Sequence, residues 1–212
     1  MTTTIGFSDT DKSTSAVLQD VIDSMGDDHV TLRQILEKMG ESGLLLLCGL
    51  LSLPFLVPVS IPGVSTVFGA GIVLIGIAVT FNRLPWLPEK VADRKLERAR
   101  LVPVLERGLK ILRKFDRYVR PRLPGLTAGA VVNRFNGLVL TAAGVLLMMP
   151  LSFIPFSNTL PGVAILLLST GISQRDGVVV AVGHLMVLLT LVYFAGLAYG
   201  AFAAGQSLNL LG

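Results

Sequence analysis

Leu53-Pro54-Phe55-Leu56-Val57-Pro58, followed by Ile61-Pro62-Gly63-Val64, interrupts one long apolar stretch of the chain. Met149-Pro150-Leu151-Ser152-Phe153-Ile154-Pro155, followed by Leu160-Pro161-Gly162-Val163, interrupts another. Proline lacks the N–H of a helical residue and its ring clashes with the preceding turn, so neither stretch can form one continuous helix. Each copy reads as two helices broken at a Pro-rich tip. Paired broken helices in two halves of a membrane chain point to a substrate or ion site.

The charges support the membrane reading. Only 15% of the 212 residues are charged, against 52% hydrophobic; soluble domains carry about 25% charged residues. Residues 1–42 have a net charge of −5 and residues 82–134 a net charge of +9, while Arg175 and Asp176 cancel, leaving +4. Residues 43–81, 135–174 and 177–212 contain no Lys, Arg, Asp or Glu. The basic excess lies in one loop between apolar hairpins, which argues against nucleic acid as a partner. The single Cys48 excludes an intramolecular disulfide and a Cys-based metal cluster. No signal peptide is expected, because the first apolar run begins at Gly43 behind a polar, acidic segment.

The expected architecture is an all-α polytopic integral membrane protein. It comprises two Pro-broken, re-entrant helical hairpins, one C-terminal transmembrane helix and amphipathic interfacial helices. The acidic segment 1–42 carries a short helix around Val17–Ile22 and a second starting at Thr31-Leu32-Arg33-Gln34 and ending at Gly40. The first hairpin, 43–81, runs from Gly43 to about Val59 and from Pro62 to Phe81. The loop 82–136 holds a basic amphipathic helix from Pro103 to Tyr118. The second hairpin, 137–174, runs from Gly137 to about Phe156 and from Pro161 to Ser173. That last arm is only roughly 20 Å long at 1.5 Å per residue, short for a hydrocarbon core of about 30 Å. Residues 175–212 form the C-terminal span and tail. Hairpins return to their own side, so the N-terminus, the basic loop and Arg175-Asp176 share one side. The positive-inside rule makes that side cytoplasmic.

The candidate site lies at the two tips. Pro62-Gly63 and Pro161-Gly162 each open a helix, whose free N–H groups and partial positive charge favour an anion. Ser65 and Asn158 stand beside them as ligand contacts. The plainer alternative is that Pro and Gly make tight turns, and that the hydroxyls complete backbone hydrogen bonds freed by the prolines. His184 lies inside the last span and is a candidate for proton coupling, or an interfacial residue. Arg83 follows the first hairpin and either recruits a phosphate or marks the membrane boundary. Arg175-Asp176-Gly177 reads as a tight turn with a local ion pair. No catalytic motif, metal cluster or cofactor fingerprint appears, so an enzyme is not expected.

Several of these elements in order resemble the ExoD-type exopolysaccharide-synthesis membrane proteins of bacteria. They are Val30-Thr31-Leu32 with its helix, the broken hairpin ending at Arg83, and Trp86-Leu87-Pro88. Arg120-Pro121-Arg122, Pro155-Phe156-Ser157-Asn158 with Pro161, and Arg175-Asp176-Gly177 complete the set. Asn82 stands before Arg83 where the family pattern has Gly. The resemblance implies a bacterial inner-membrane protein linked to exopolysaccharide production, and assigns no reaction. Two functions follow as expectations: a transporter of a small or lipid-linked anion bound between the tips, or a non-transporting assembly factor of the polysaccharide machinery. The expected partners are membrane lipid, anionic headgroups along the basic helix 103–122, exopolysaccharide-synthesis proteins and a second copy of the chain.

Overall fold

The computed structural model describes residues 19, 22–23, 29–56, 63–82, 95–97, 102–103, 106, 109, 121–149, 151 and 154–209. Five α-helices carry the fold: α1 (Leu32–Ser52), α2 (Val64–Phe81), α3 (Ala130–Met148), α4 (Thr159–Ser173) and α5 (Gly177–Asn209). A 3-10 turn, Leu53–Leu56, follows α1, and another, Pro124–Leu126, precedes α3. Two short strands, β1 (His29–Thr31) and β2 (Lys95–Glu97), pair antiparallel with His29 opposite Glu97. They add a local β contact, not expected from the sequence, that ties the entry to α1 to the basic loop.

Helix α1 is kinked at Gly40, whose φ of 56° and ψ of −147° leave the helical region. Glycine takes that conformation without a Cβ penalty, so a short leading segment stays distinct from the apolar arm Gly40–Leu56. The first arm of the second hairpin starts at Ala130, seven residues before Gly137. Its first turns accommodate polar residues because Asn133 donates to Glu41 Oε1 and the buried Asn136 to Leu126 O, both at 2.9 Å, while Arg134 is exposed. The same helix stops at Met148 rather than near Phe156, because Pro150 cannot continue it. Phe156 adopts φ 62° between the two arms.

The helices Val64–Phe81, Ala130–Met148 and Gly177–Ala204 are long and apolar enough to cross a membrane, and α4 is shorter. Their outward faces are apolar: Val67, Leu74, Ile77 and Phe81 on α2, and Val131, Phe135, Leu138 and Val145 on α3. Exposed residues at this spacing form one stripe per helix, as lipid-facing helices require. Leu44, Leu45, Cys48, Ile72, Val79, Leu140, Leu147, Ile165, Leu168 and Val180 are buried in the shared core.

Helices α2 and α3 make the tightest contact, running antiparallel. A Cβ on Gly69 would lie 2.4 Å from Met148, on Gly76 2.5 Å from Thr141 Oγ1, on Gly137 2.6 Å from the Thr80 nitrogen, and on Gly144 2.9 Å from Val73. Each helix thus offers two glycines and meets two larger residues of its partner. Thr80 and Thr141 turn their hydroxyls back to Gly76 O and Gly137 O, both at 2.8 Å. Their hydroxyls are satisfied within their own helix, so each threonine can press against a partner glycine without losing a hydrogen bond. Small residues substitute close backbone approach for the hydrophobic drive that lipid does not supply.

Candidate functional site

The two tips meet at one end of the bundle. Phe55, in the turn after α1, is buried and packs edge-on against Phe68 of α2, with ring centroids 6.0 Å apart. A Cβ on Gly162, in the first turn of α4, would approach Phe55 Cβ to 3.0 Å. One aromatic residue therefore sits between the N-terminal turns of α2 and α4. Ser65 in α2 is 3% exposed and Asn158, the N-cap residue of α4, is 6% exposed. Neither α2 nor α4 has a side-chain cap hydrogen bond at its start.

The two helix starts differ. Gly63 caps α2 from the left-handed region, with φ 84°, is exposed, and accepts the Val67 N–H at 3.2 Å. Pro161-Gly162 does not open α4. That helix begins at Thr159, and the Gly162 N–H already donates to Asn158 O at 3.0 Å. Pro161 is tolerated because a first-turn residue needs no intrahelical donor. The Leu160 N–H likewise donates to Phe156 O at 3.0 Å, so the first turn of α4 is tied back to the tip. Pro62 and Arg83 lie outside the described residues, as do Trp86 and most of the basic helix Pro103–Tyr118.

Polar groups of the second tip bind backbone. Ser157 Oγ donates toward Leu151 O at 2.7 Å and Ile154 O at 2.8 Å. Tyr193, on α5, donates its hydroxyl to Pro155 O at 2.7 Å. Leu151 O and Ile154 O also accept the Ile154 and Ser157 N–H groups, at 2.9 and 3.3 Å, so the hydroxyls reinforce a tip that is already closed by backbone bonds. An aromatic in an apolar span reads as packing, so the sequence alone does not single out this tyrosine.

His184 is remote from the tips. It lies nine residues before Tyr193, about 13 Å along the helix axis. Its ring stacks on Phe135 at 5.4 Å, near the charged end. Nδ1 lies 2.8 Å from Val180 O, and because a carbonyl only accepts, Nδ1 carries the proton. Nε2 is buried with no hydrogen-bond partner among the described residues. The structure brings Ser65, Gly63, Asn158, Pro161 and Gly162 to one end and places His184 elsewhere.

A second constellation occupies the opposite end. Asp176 is 1% exposed, and its Oδ1 accepts Val178 N–H at 3.0 Å, capping α5. Its Oδ2 lies 3.7 Å from Arg122 Nε, the Gly177 N–H donates to Arg122 O at 2.7 Å, and residues 122 and 176 form a parallel bridge. The turn expected at Arg175-Asp176-Gly177 is present, but Asp176 is buried and reaches across to Arg122 rather than standing in a local, exposed pair. Two sequence elements 54 residues apart thus meet. No group of three or more His, Cys, Asp or Glu side chains suited to a metal occurs among the described residues.

A sequence model of the family described as "Exopolysaccharide synthesis, ExoD" matches residues 14–196. The chain is similar to Protein ExoD of Rhizobium meliloti (strain 1021), 58% identical over 97% of this chain and 85% of that one. It is also similar to an uncharacterized protein of Synechocystis sp., 27% identical over 83% of this chain and 82% of the relative. No solved structure matches the chain.

Proposed function

The chain belongs to the ExoD family of exopolysaccharide synthesis, and from that premise we propose that it is a membrane transporter of a small or lipid-linked anion. One observation carries this reading: the N-terminal turns of α2 and α4 converge on Phe55 at one end, each with a buried polar residue, Ser65 and Asn158. Two helix N-termini aimed at a shared point favour an anion. Phe55 is the gate between them. The bundle sits with its charged end cytoplasmic, by the excess of Arg and Lys there. The tips sit at membrane depth inside protein, and a second copy encloses them. The protein is a carrier rather than an enzyme.

A second reading is a non-transporting assembly factor for the same machinery. The hydrogen-bonded Ser157 in the second tip and the buried Phe55 of the first support it, because both are committed to protein contacts. Thiol labelling of the Ser65→Cys variant separates the two. The native Cys48 stays silent in this experiment because it is buried. In a transporter, a water-soluble maleimide modifies the thiol introduced at position 65, and phosphate or polyprenyl phosphate slows the reaction. In an assembly factor, that thiol is unlabelled under native conditions and labelled only after denaturation.

A further inference from the structure

Helix α2 starts open where α4 starts closed. At α4 the Leu160 N–H donates to Phe156 O and the Gly162 N–H to Asn158 O, both at 3.0 Å, and Pro161 has no N–H to give. At α2 the first backbone bond is Val67 N–H to Gly63 O, at 3.2 Å. The N–H groups of Val64, Ser65 and Thr66 come before it and take no partner among the described residues. Gly63 is exposed, and a Cβ built there would meet nothing within 4 Å, so the turn is open to an incoming group.

Ser65 adds a fourth donor. Among the described residues the other buried hydroxyls, Ser52, Ser157, Ser169 and Thr190, each donate to a backbone carbonyl. Ser65 is 3% exposed, yet its hydroxyl has no hydrogen-bond partner among those residues. It shares the buried face of α2 with Gly69, one turn nearer the start, and Gly69 packs on Met148, the last residue of α3. The Cα–Cβ bond of a helical residue tilts toward the N-terminus. The Ser65 hydroxyl is therefore directed past the end of α3, toward the open turn.

No residue of either tip carries a full charge, because residues 43–81 and 135–174 contain no Lys, Arg, Asp or Glu. Positive potential comes from the two helix ends, each equivalent to about half an elementary charge. Together they offset about one negative charge. A second negative charge would be buried without a partner, which is costly.

We propose that the open turn of α2 binds a singly charged oxyanion, such as a phosphodiester, and discriminates against doubly charged ones. The Val64, Ser65 and Thr66 N–H groups and the Ser65 hydroxyl donate to its oxygens. The proposal rests on the reading of the tips as an anion site and narrows that site to one charge class.

The test is calorimetric titration of the full chain in maltoside micelles at pH 8 and constant ionic strength. Dimethyl phosphate carries one negative charge; sulfate carries two, as does methyl phosphate, whose second pKa is about 6. Wild type binds dimethyl phosphate about tenfold or more tightly than either dianion. Ser65→Ala, melting as wild type does, weakens dimethyl phosphate about tenfold, the loss of one hydrogen bond to a charged group. Phosphatidylglycerol in the micelle competes with dimethyl phosphate, and zwitterionic phosphatidylcholine does not, if the natural group is carried on a lipid; competition by neither assigns it to a soluble solute, and the proposal holds in both cases. Sulfate or methyl phosphate binding as tightly as dimethyl phosphate would overturn the charge class and leave the anion site standing. Unchanged binding in Ser65→Ala would overturn the placement at α2. Binding of none of the anions would overturn the anion site itself.

Discussion

Gly76 and Thr141 meet with no room for a single added carbon: a Cβ at Gly76 would lie 2.5 Å from Thr141 Oγ1 and 2.8 Å from its backbone nitrogen. The same arrangement recurs in reverse, where a Cβ at Gly137 would lie 2.6 Å from both Thr80 N and Thr80 Oγ1. Backbone cannot move aside as a flexible side chain can. The antiparallel α2–α3 contact therefore packs one arm of the first hairpin tightly against one arm of the second.

Gly76→Ala and Gly137→Ala should each destabilise the fold by about 1 to 3 kcal/mol, the usual cost of overpacking a tight interface. Gly69→Ala should cost less, since its closest neighbour is the flexible Met148 side chain. Thermal unfolding in detergent checks the order. Equal melting temperatures for Gly76→Ala and wild type would mean that the helices separate more freely than this packing allows.

Asp176 serves two roles that substitution can split. Asn is as good an N-cap as Asp, so Asp176→Asn should keep the cap of α5 and lose only the charge toward Arg122. Asp176→Ala loses both and should cost about 0.5 to 2 kcal/mol through the cap alone. The Arg122 side chain is half exposed, so its pair adds little. Asp176→Ala should melt below Asp176→Asn, and limited proteolysis should cut first near residues 121–127. Identical melting of the two variants would remove the capping role.

Arg175 holds φ 53° at the turn between α4 and α5. A side chain there costs about 1 to 2 kcal/mol, and glycine regains this while adding about 0.5 to 1 kcal/mol of unfolded-chain entropy. Arg175→Gly should therefore leave the melting temperature unchanged or slightly raised, and Arg175→Val should lower it clearly. A large loss of stability in Arg175→Gly would show that the arginine side chain holds the turn.

Tyr193→Phe removes the bond to Pro155 O and leaves the ring in place. Interhelical hydrogen bonds in membranes are worth about 0.6 kcal/mol on average, so the global melting temperature should change little. The second tip should loosen locally. Hydrogen exchange at residues 154–158 should rise in the variant, with α2–α3 amides unaffected. Unchanged exchange at the tip would show that Tyr193 does not hold it.

The helical plan is legible in the sequence because proline and the absence of charge act locally. Pro54, Pro150 and the uncharged runs place the breaks without knowledge of any neighbour. What lies beyond reading depends on partners distant in sequence. The glycines at 69, 76, 137 and 144 are spaced as in many helices, and only the antiparallel register gives each one a larger opposite number. Asp176 reads as half of a local pair because Arg175 adjoins it, whereas its partner Arg122 comes from a loop 54 residues earlier. Pro161-Gly162 reads as a helix start because proline favours the first turn, yet Thr159 and Leu160 carry the helix two residues further back. His184 is legible as an ionisable group in a span, but its distance from the tips follows from where along α5 each contact falls. At the tips, Ser65 and Asn158 are readable as polar residues beside breaks, whereas Phe55 is hidden among apolar neighbours.

Flux through purified protein in liposomes tests the central claim most directly. Inorganic phosphate and polyprenyl phosphate are each offered on one side, with wild type, Ser65→Ala and Asn158→Ala at matched folded amounts. The account predicts that wild type moves one of these anions and that both tip variants lose most of the flux while melting as wild type does. Flux undiminished in both variants, or no flux of either anion in wild type, would contradict a transport site at the tips.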